Sequence, residues 1–172
     1  SHRQVTDYTA ADVLKEMDEG GVNAALIHPP GWDPESNALA VEAARQHPNR
    51  LAILGNFPLD RPESRATLDS IKSRPGMLGL RFTMHRPFLR PILTEGRLDW
   101  LWPEAERAGV PVMTLVQHVD MPIINKIAER HPGLWITIDH LGLTTGKDEE
   151  AFRNLDSVLA LAKRPNVAVK VS

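Results

Sequence analysis

Two apolar runs in the chain each stop on a histidine. They are Val112-Met113-Thr114-Leu115-Val116-Gln117-His118 and Leu134-Trp135-Ile136-Thr137-Ile138-Asp139-His140, the second leading into Leu141-Gly142. Each has the composition of a buried strand that delivers an imidazole where strand gives way to loop. In parallel α/β architectures that strand end is where ligands and metals bind. Neutral imidazole is the commonest protein metal ligand, and its second nitrogen is usually fixed by a carboxylate or carbonyl. With no cysteine in the chain, any metal must sit on His, Asp or Glu.

His140 is the sharpest of these residues: either a metal ligand or catalytic imidazole, or a strand-end side chain bonded to a loop carbonyl. His118 occupies the corresponding place one strand earlier, as a metal or substrate ligand or simply a polar rim residue. Regular strand geometry sends Asp139 to the face opposite His140, to cap or pair with the helical layer. Arg81, inside Gly79-Leu80-Arg81-Phe82-Thr83, is a guanidinium in an apolar strand. Burying it alone costs several kcal/mol (order of magnitude), so it must meet an anion. A substrate carboxylate, bound bidentately, or a salt bridge to a neighbouring strand would serve. Lys170, in Val167-Ala168-Val169-Lys170-Val171, raises the same question. His28 before Pro29-Pro30 belongs to a loop wall, and His85 with Arg86 lines the pocket mouth. Trp100, Trp102 and Trp135 are packing residues, whereas Trp32 is placed to cover a ligand. His47 and His131 are structural, and His2 sits at a terminus.

The elements that carry these residues are marked by repeated punctuation. Gln46-His47-Pro48-Asn49, Ser73-Arg74-Pro75-Gly76, Ala108-Gly109-Val110-Pro111, Arg130-His131-Pro132-Gly133 and Lys163-Arg164-Pro165-Asn166 each precede an apolar run. Basic residues suit a helix C-terminus, proline stops the helix, and Gly or Asn accepts the left-handed turn. Helical periodicity covers Thr9–Glu19, behind a Thr9 cap with Asp12 three residues on. It also covers Glu35–Gln46, Glu63–Ser73, Leu98–Ala108, Pro122–Arg130 and Glu149–Lys163. The strands are Asn23–Ile27, Leu51–Asn56, Met77–Thr83, Val112–Gln117, Leu134–Asp139 and Val167–Val171, near-continuously apolar as parallel strands are.

The pattern is α-β repeated six times without a linker, so residues 1–172 form one domain. A closed (β/α)₈ barrel takes about 250 residues, so the expected fold is a partial TIM barrel lacking its first strand and its last βα unit. A six-stranded open sheet is the alternative. Right-handed connections place all strand C-termini on one rim: His28, Asn56, Arg81 with Thr83 and His85, Gln117 with His118, Asp139 with His140, and Lys170 with Ser172. An incomplete sheet exposes two strand edges, which invites pairing with another copy.

Bulk properties narrow the function. The chain is 42% hydrophobic and 24% charged with net charge −2, which gives no electrostatic reason to expect nucleic acid or an anionic membrane as partner. No apolar run approaches the ~20 residues of a membrane span. The lack of cysteine fits a reducing compartment, and the expected location is cytoplasmic. No dinucleotide-binding glycine motif, phosphate loop or serine-nucleophile elbow occurs, so hydride transfer, nucleotide hydrolysis and serine-hydrolase chemistry lose support.

Met17-Asp18-Glu19-Gly20-Gly21-Val22-Asn23-Ala24-Ala25-Leu26, Arg50-Leu51-Ala52, Gly79-Leu80-Arg81-Phe82, Ile138-Asp139-His140-Leu141-Gly142 and Val169-Lys170-Val171-Ser172 together resemble the amidohydrolase-related (amidohydrolase 2) family. The branch holding dicarboxylate lactonases is the most similar. The resemblance runs in order over the whole chain, and Asp-His-Leu-Gly is its most specific element. It implies a (β/α)₈ barrel in which His140 is the catalytic sixth-strand histidine, as metal ligand or carbonyl polariser. It implies that Arg81 helps hold a substrate carboxylate, that His118 is a metal or substrate ligand, and that Lys170 faces substrate. The implied cofactor is a divalent metal such as zinc, optional in the family. The family's His-x-His pair on strand one and its general-base Asp after strand eight have no counterpart here, so the chain is expected to be a fragment. The expected activity is hydrolysis of a small carboxylated substrate such as a lactone. A decarboxylase or hydratase on the same barrel, or a non-catalytic anion-binding sheet, are the alternatives.

Overall fold

The first helix forms where its cap and apolar spacing place it. In α1 (Ala10–Glu19), the Thr9 hydroxyl accepts from the Asp12 N–H while the Asp12 carboxylate takes the Thr9 N–H. This reciprocal cap satisfies two backbone donors that a helix start otherwise leaves orphaned. The computed structural model describes residues 8–30, 35–59, 64–142 and 147–171; His2, Trp32 and Ser172 lie outside them.

The remaining elements follow in alternation: β1 (Ala25–Ile27), α2 (Ser36–Gln46), β2 (Leu51–Gly55), α3 (Ser64–Ser70), β3 (Met77–Thr83), α4 (Arg90–Thr94), α5 (Leu101–Ala108), β4 (Val112–Leu115), α6 (Met121–Arg130), β5 (Ile136–Ile138), α7 (Asp148–Phe152), α8 (Leu155–Leu159) and β6 (Val167–Val169). The expected Leu98–Ala108 helix starts three residues later, and the short α4 precedes it unforeseen. The Glu149–Lys163 helix is split in two by Arg153-Asn154.

The six strands among the described residues are all parallel and pair in strict chain order, β1-β2-β3-β4-β5-β6. A doubly wound sheet reverses its order to cover both faces. Sequential right-handed crossovers instead send every helix to one face and leave the other as a barrel interior. The fold is therefore the wall of a partial (β/α)₈ barrel. No helix among the described residues is long and apolar enough to cross a membrane.

Burial follows that division. Leu80, Val112, Ile136 and Ile138 are fully buried and join Leu101, Ala105, Ile124 and Val158 of the helices in one core. The inner face carries Leu26, Leu78 and Trp135, each more than half exposed. Trp135 is thus not the packing residue that its apolar run suggests, whereas Trp102 is buried and Trp100 stacks on Phe57. At the opposite rim to the site, Glu106 accepts from His131 Nδ1 at 2.9 Å and from the Gly133 N–H at 2.7 Å. That hydrogen-bonded cap is the structural role expected of His131.

One irregularity decides which way β3 faces. Ile53 of β2 pairs with Met77, but Leu54 pairs with Gly79, so Leu78 is an extra residue bulged out of the ladder. Each bulge inverts the two-residue alternation of side chains downstream. Met77 is on the buried face, as are Leu80 and Phe82. The bulge therefore turns Arg81 and Thr83 to the inner face.

Candidate active site

Arg81, Met113 and Thr137 are aligned across β3, β4 and β5, and strand alternation carries Asp139 to the same inner face. The Asp139 side chain is fully buried and the Arg81 side chain is 15% exposed. Arg81 Nε donates to Asp139 Oδ2 at 2.7 Å, and Nη2 donates to the same oxygen. Lys170, continuing β6, reaches Asp139 Oδ1 at 3.2 Å, and His140 Nε2 lies 3.5 Å from that oxygen. One buried carboxylate thus gathers three groups that the sequence singles out.

This corrects the expectation for Asp139. Strand parity measured from His140 sends Asp139 to the helical layer. The error lies in treating His140 as part of the strand. His140 and Leu141 both take left-handed backbone conformations, at φ 50° and 54°, followed by Gly142 at φ 66°. Such angles cost an L-residue about 1–2 kcal/mol each. The turn re-aims His140 beside Asp139, and it is held by Leu141 N–H to Lys170 carbonyl at 3.2 Å and Lys170 N–H to Ile138 carbonyl at 2.8 Å. Gly142 is required by its positive φ; a Cβ there would also lie 2.3 Å from Met121 Cε, the movable end of a flexible side chain.

Burial pushes the Asp139 carboxyl up, but the hydrogen bond and charge of Arg81, with Lys170 and His140, outweigh it and hold the group below the usual aspartate value. Asp139 is therefore a carboxylate near neutrality. Arg81 and Lys170 over-compensate it, so the mouth carries net positive charge. Arg81 Nη1 makes no hydrogen bond among the described residues, and the Lys170 side chain is 45% exposed. Both cations keep donors for an incoming anion.

Two further imidazoles flank the network. His28 donates from Nδ1 to the Leu54 carbonyl at 3.3 Å; burial, then the Arg81 charge, hold it below the ordinary histidine value. Its place one residue past β1 agrees with the loop-wall and rim positions expected from the sequence, and the charges of Arg81 and Asp139 act on its imidazole. His85 lies two residues past Thr83, and burial with the Arg86 and Arg81 charges likewise keeps it neutral.

His118 opens the turn after β4, three residues past Leu115. That turn is tied to the β3–α4 loop by Gln117 Nε2 to the His85 carbonyl at 2.9 Å. It is tied again by the two-point Arg90–Asp120 pair at 2.8 and 2.7 Å, with Asp120 buried. No group of three or more His, Asp or Glu side chains placed to hold a metal occurs among the described residues. His118 and His140, the two ligands of the zinc expectation, therefore do not belong to such a group among the described residues. Asp139 has both oxygens committed to cations, so these side chains do not by themselves fit a divalent ion.

No curated protein matches the chain by sequence. An amidohydrolase from Burkholderia multivorans, solved with bound zinc, superposes with TM-score 0.79 at 17% identity, over 96% of this chain and 59% of that one. A probable 2-pyrone-4,6-dicarboxylic acid hydrolase from Acinetobacter baumannii with citric acid bound gives 0.75 at 19% identity, over 98% and 62%. A 4-oxalomesaconate hydratase from Rhodopseudomonas palustris gives 0.64 at 15% identity, over 92% and 57%. The chain thus spans about three-fifths of these relatives, and at such identities the likeness is one of fold. The sequence itself goes further: residues 1–172 match the amidohydrolase family model throughout, and the chain belongs to that family.

Proposed function

We propose that this chain supplies the carbonyl-polarising and carboxylate-holding part of a hydrolase acting on a small carboxylated substrate, a lactone in the simplest case. The observation that carries the proposal is the buried Asp139 carboxylate shared by Arg81, Lys170 and His140. Arg81 Nη1 and Lys170 Nζ point charge at a substrate carboxylate, and His140 stands beside them to donate to a carbonyl oxygen. As water adds to that carbonyl, the oxygen gains negative charge, which a pre-placed imidazole N–H and ammonium stabilise better than bulk water does. Asp139 keeps His140 and Lys170 in position and is not itself the base, because a carboxylate held this low by two cations is a poor proton acceptor.

The family membership and the hydrolase named among the relatives support hydrolysis, and the zinc-bound relative supports a metal whose ligands would come in part from other residues. His118, at the turn after β4, is assigned to substrate binding. The hydratase among the relatives favours water addition to an unsaturated carboxylate as the second reading. The test is an assay of the full-length protein on carboxylated lactones, their open-chain acids and unsaturated di- and tricarboxylates. Lactone opening that falls about 100-fold or more in His140→Ala, with Arg81→Met raising KM, supports the proposal. Turnover confined to hydration or to loss of carbon dioxide rejects it.

A further inference from the structure

Two charged residues of this fold stand against their local preferences. Asp120 directly precedes α6, where an aspartate ordinarily turns its carboxylate onto the first free N–H groups of the helix. It makes no such bond. Arg90 opens α4, at the end where the helix dipole disfavours a cation. The two are matched to each other instead. Arg90 Nε donates to Asp120 Oδ2 at 2.8 Å and Nη2 to Oδ1 at 2.7 Å, across 30 residues of sequence. The Asp120 side chain is 2% exposed. A buried carboxylate withdrawn from its own helix to reach a distant guanidinium is a tertiary device, because neither helix gains from it alone.

That pair fixes one end of a short span, and Gln117 fixes the other. Gln117 Nε2 donates to the His85 carbonyl at 2.9 Å, and the Asp120 N–H closes the turn onto the Gln117 carbonyl at 2.9 Å. Only His118 and Val119 lie between the two anchors. The opposing loop is ordered in its own right, since the Leu89 and Arg90 N–H groups both bond the Arg86 carbonyl, at 2.9 and 2.8 Å. The His118 imidazole makes no hydrogen bond among the described residues. It is partly buried, and neither ring nitrogen is among the unpaired polar atoms that are closed to solvent. Its backbone is held from both sides while both nitrogens stay open to a ligand.

We propose that Arg90 and Asp120 are positioning residues for His118, their two-point pair holding the turn that presents its imidazole to the substrate. This role rests on the reading of His118 as a substrate contact. A side chain carried on a turn anchored at both ends loses less conformational freedom on binding than one on a loose loop. The pair therefore acts on substrate affinity through the imidazole, without touching the substrate.

The full-length protein is assayed on carboxylated lactones, with urea unfolding alongside. His118→Ala is expected to raise KM about tenfold with kcat little changed. Arg90→Met combined with Asp120→Leu removes the pair without stranding a buried charge. It should unfold close to wild type yet raise KM severalfold. In the His118→Ala background the same double change should add nothing, because its effect runs through the imidazole. Arg90→Lys keeps the charge but not the two-point fork. It should raise KM to a lesser extent, and it carries the same test on a protein whose buried carboxylate stays paired. An unchanged KM in both the pair variant and Arg90→Lys, or an increase that persists in the His118→Ala background, overturns the positioning role alone. Unaltered kinetics in His118→Ala, or no lactone turnover by wild type, overturns the substrate reading of His118 and this inference with it.

Discussion

Arg81 and Asp139, 58 residues apart in sequence, meet across the strand that separates them. Two guanidinium nitrogens converge on one carboxylate oxygen, and the carboxylate is fully buried. Removing one member of such a pair strands the other, whereas removing both can be almost neutral. Arg81→Met is expected to cost about 3 kcal/mol in urea unfolding, with Lys170 offsetting part of the loss. Arg81→Met combined with Asp139→Leu should recover at least about 1 kcal/mol of that cost as a favourable coupling. Strictly additive effects would show that the pair contributes no mutual stabilisation.

The acid limb of stability follows from the same carboxylate. Asp139 is held below its ordinary value of 3.8 in the fold, so in this range the unfolded chain binds the proton more readily. Its stabilising contribution is fully present above that ordinary value and is lost as pH falls through the lower folded one. Asp139→Asn should therefore unfold more easily than wild type at neutral pH. The gap should narrow once the pH drops below about 3.8. Unfolding curves for both proteins at pH 7, 5 and 3 decide it; a gap unchanged with pH contradicts the lowered value.

The two neutral imidazoles act in a higher window. His28 and His85 are both held below their ordinary 6.5, so just under that value the unfolded chain takes up protons that the folded chain refuses. Stability from this source is complete above 6.5 and declines as the pH is lowered, levelling off below the folded values. His28→Gln combined with His85→Leu should flatten the stability profile between pH 7 and 5 (approximate limits). An identical slope in wild type and the double variant would mean that neither imidazole resists protonation.

Much of this site could be read from residue types and order. Pro/Gly stops and β-branched runs located the strands, because those preferences are local and chemical. The rim assignments of Arg81, Lys170 and His140 followed from knowing that parallel strands end at one mouth. Two things were invisible because they depend on backbone irregularity. Leu78 has no feature in sequence that marks it as an extra residue, yet its bulge sets the face of Arg81. The left-handed turn at His140 and Leu141 defeats any alternation counted through it. Leu98–Leu101 is a similar case: its periodicity fits a helix, but the Gly96–Asp99 and Leu98–Leu101 backbone bonds form turns before α5 begins.

That turn yields the last prediction. At an ordinary position, Leu→Gly gives up side-chain burial and backbone order and is plainly destabilising. At Leu141, with φ 54° and the side chain only half-buried, glycine also relieves about 1 kcal/mol of left-handed strain. Leu141→Gly should therefore melt close to wild type. Gly142→Ala should melt distinctly lower, by about 1–2 kcal/mol of stability, since the end of Met121 can move aside but the positive φ cannot. If the strain serves to aim His140 at Asp139, Leu141→Gly should lose turnover despite its intact stability. A Leu141→Gly protein that is much less stable than wild type would place the turn among ordinary packing elements and remove the strain argument.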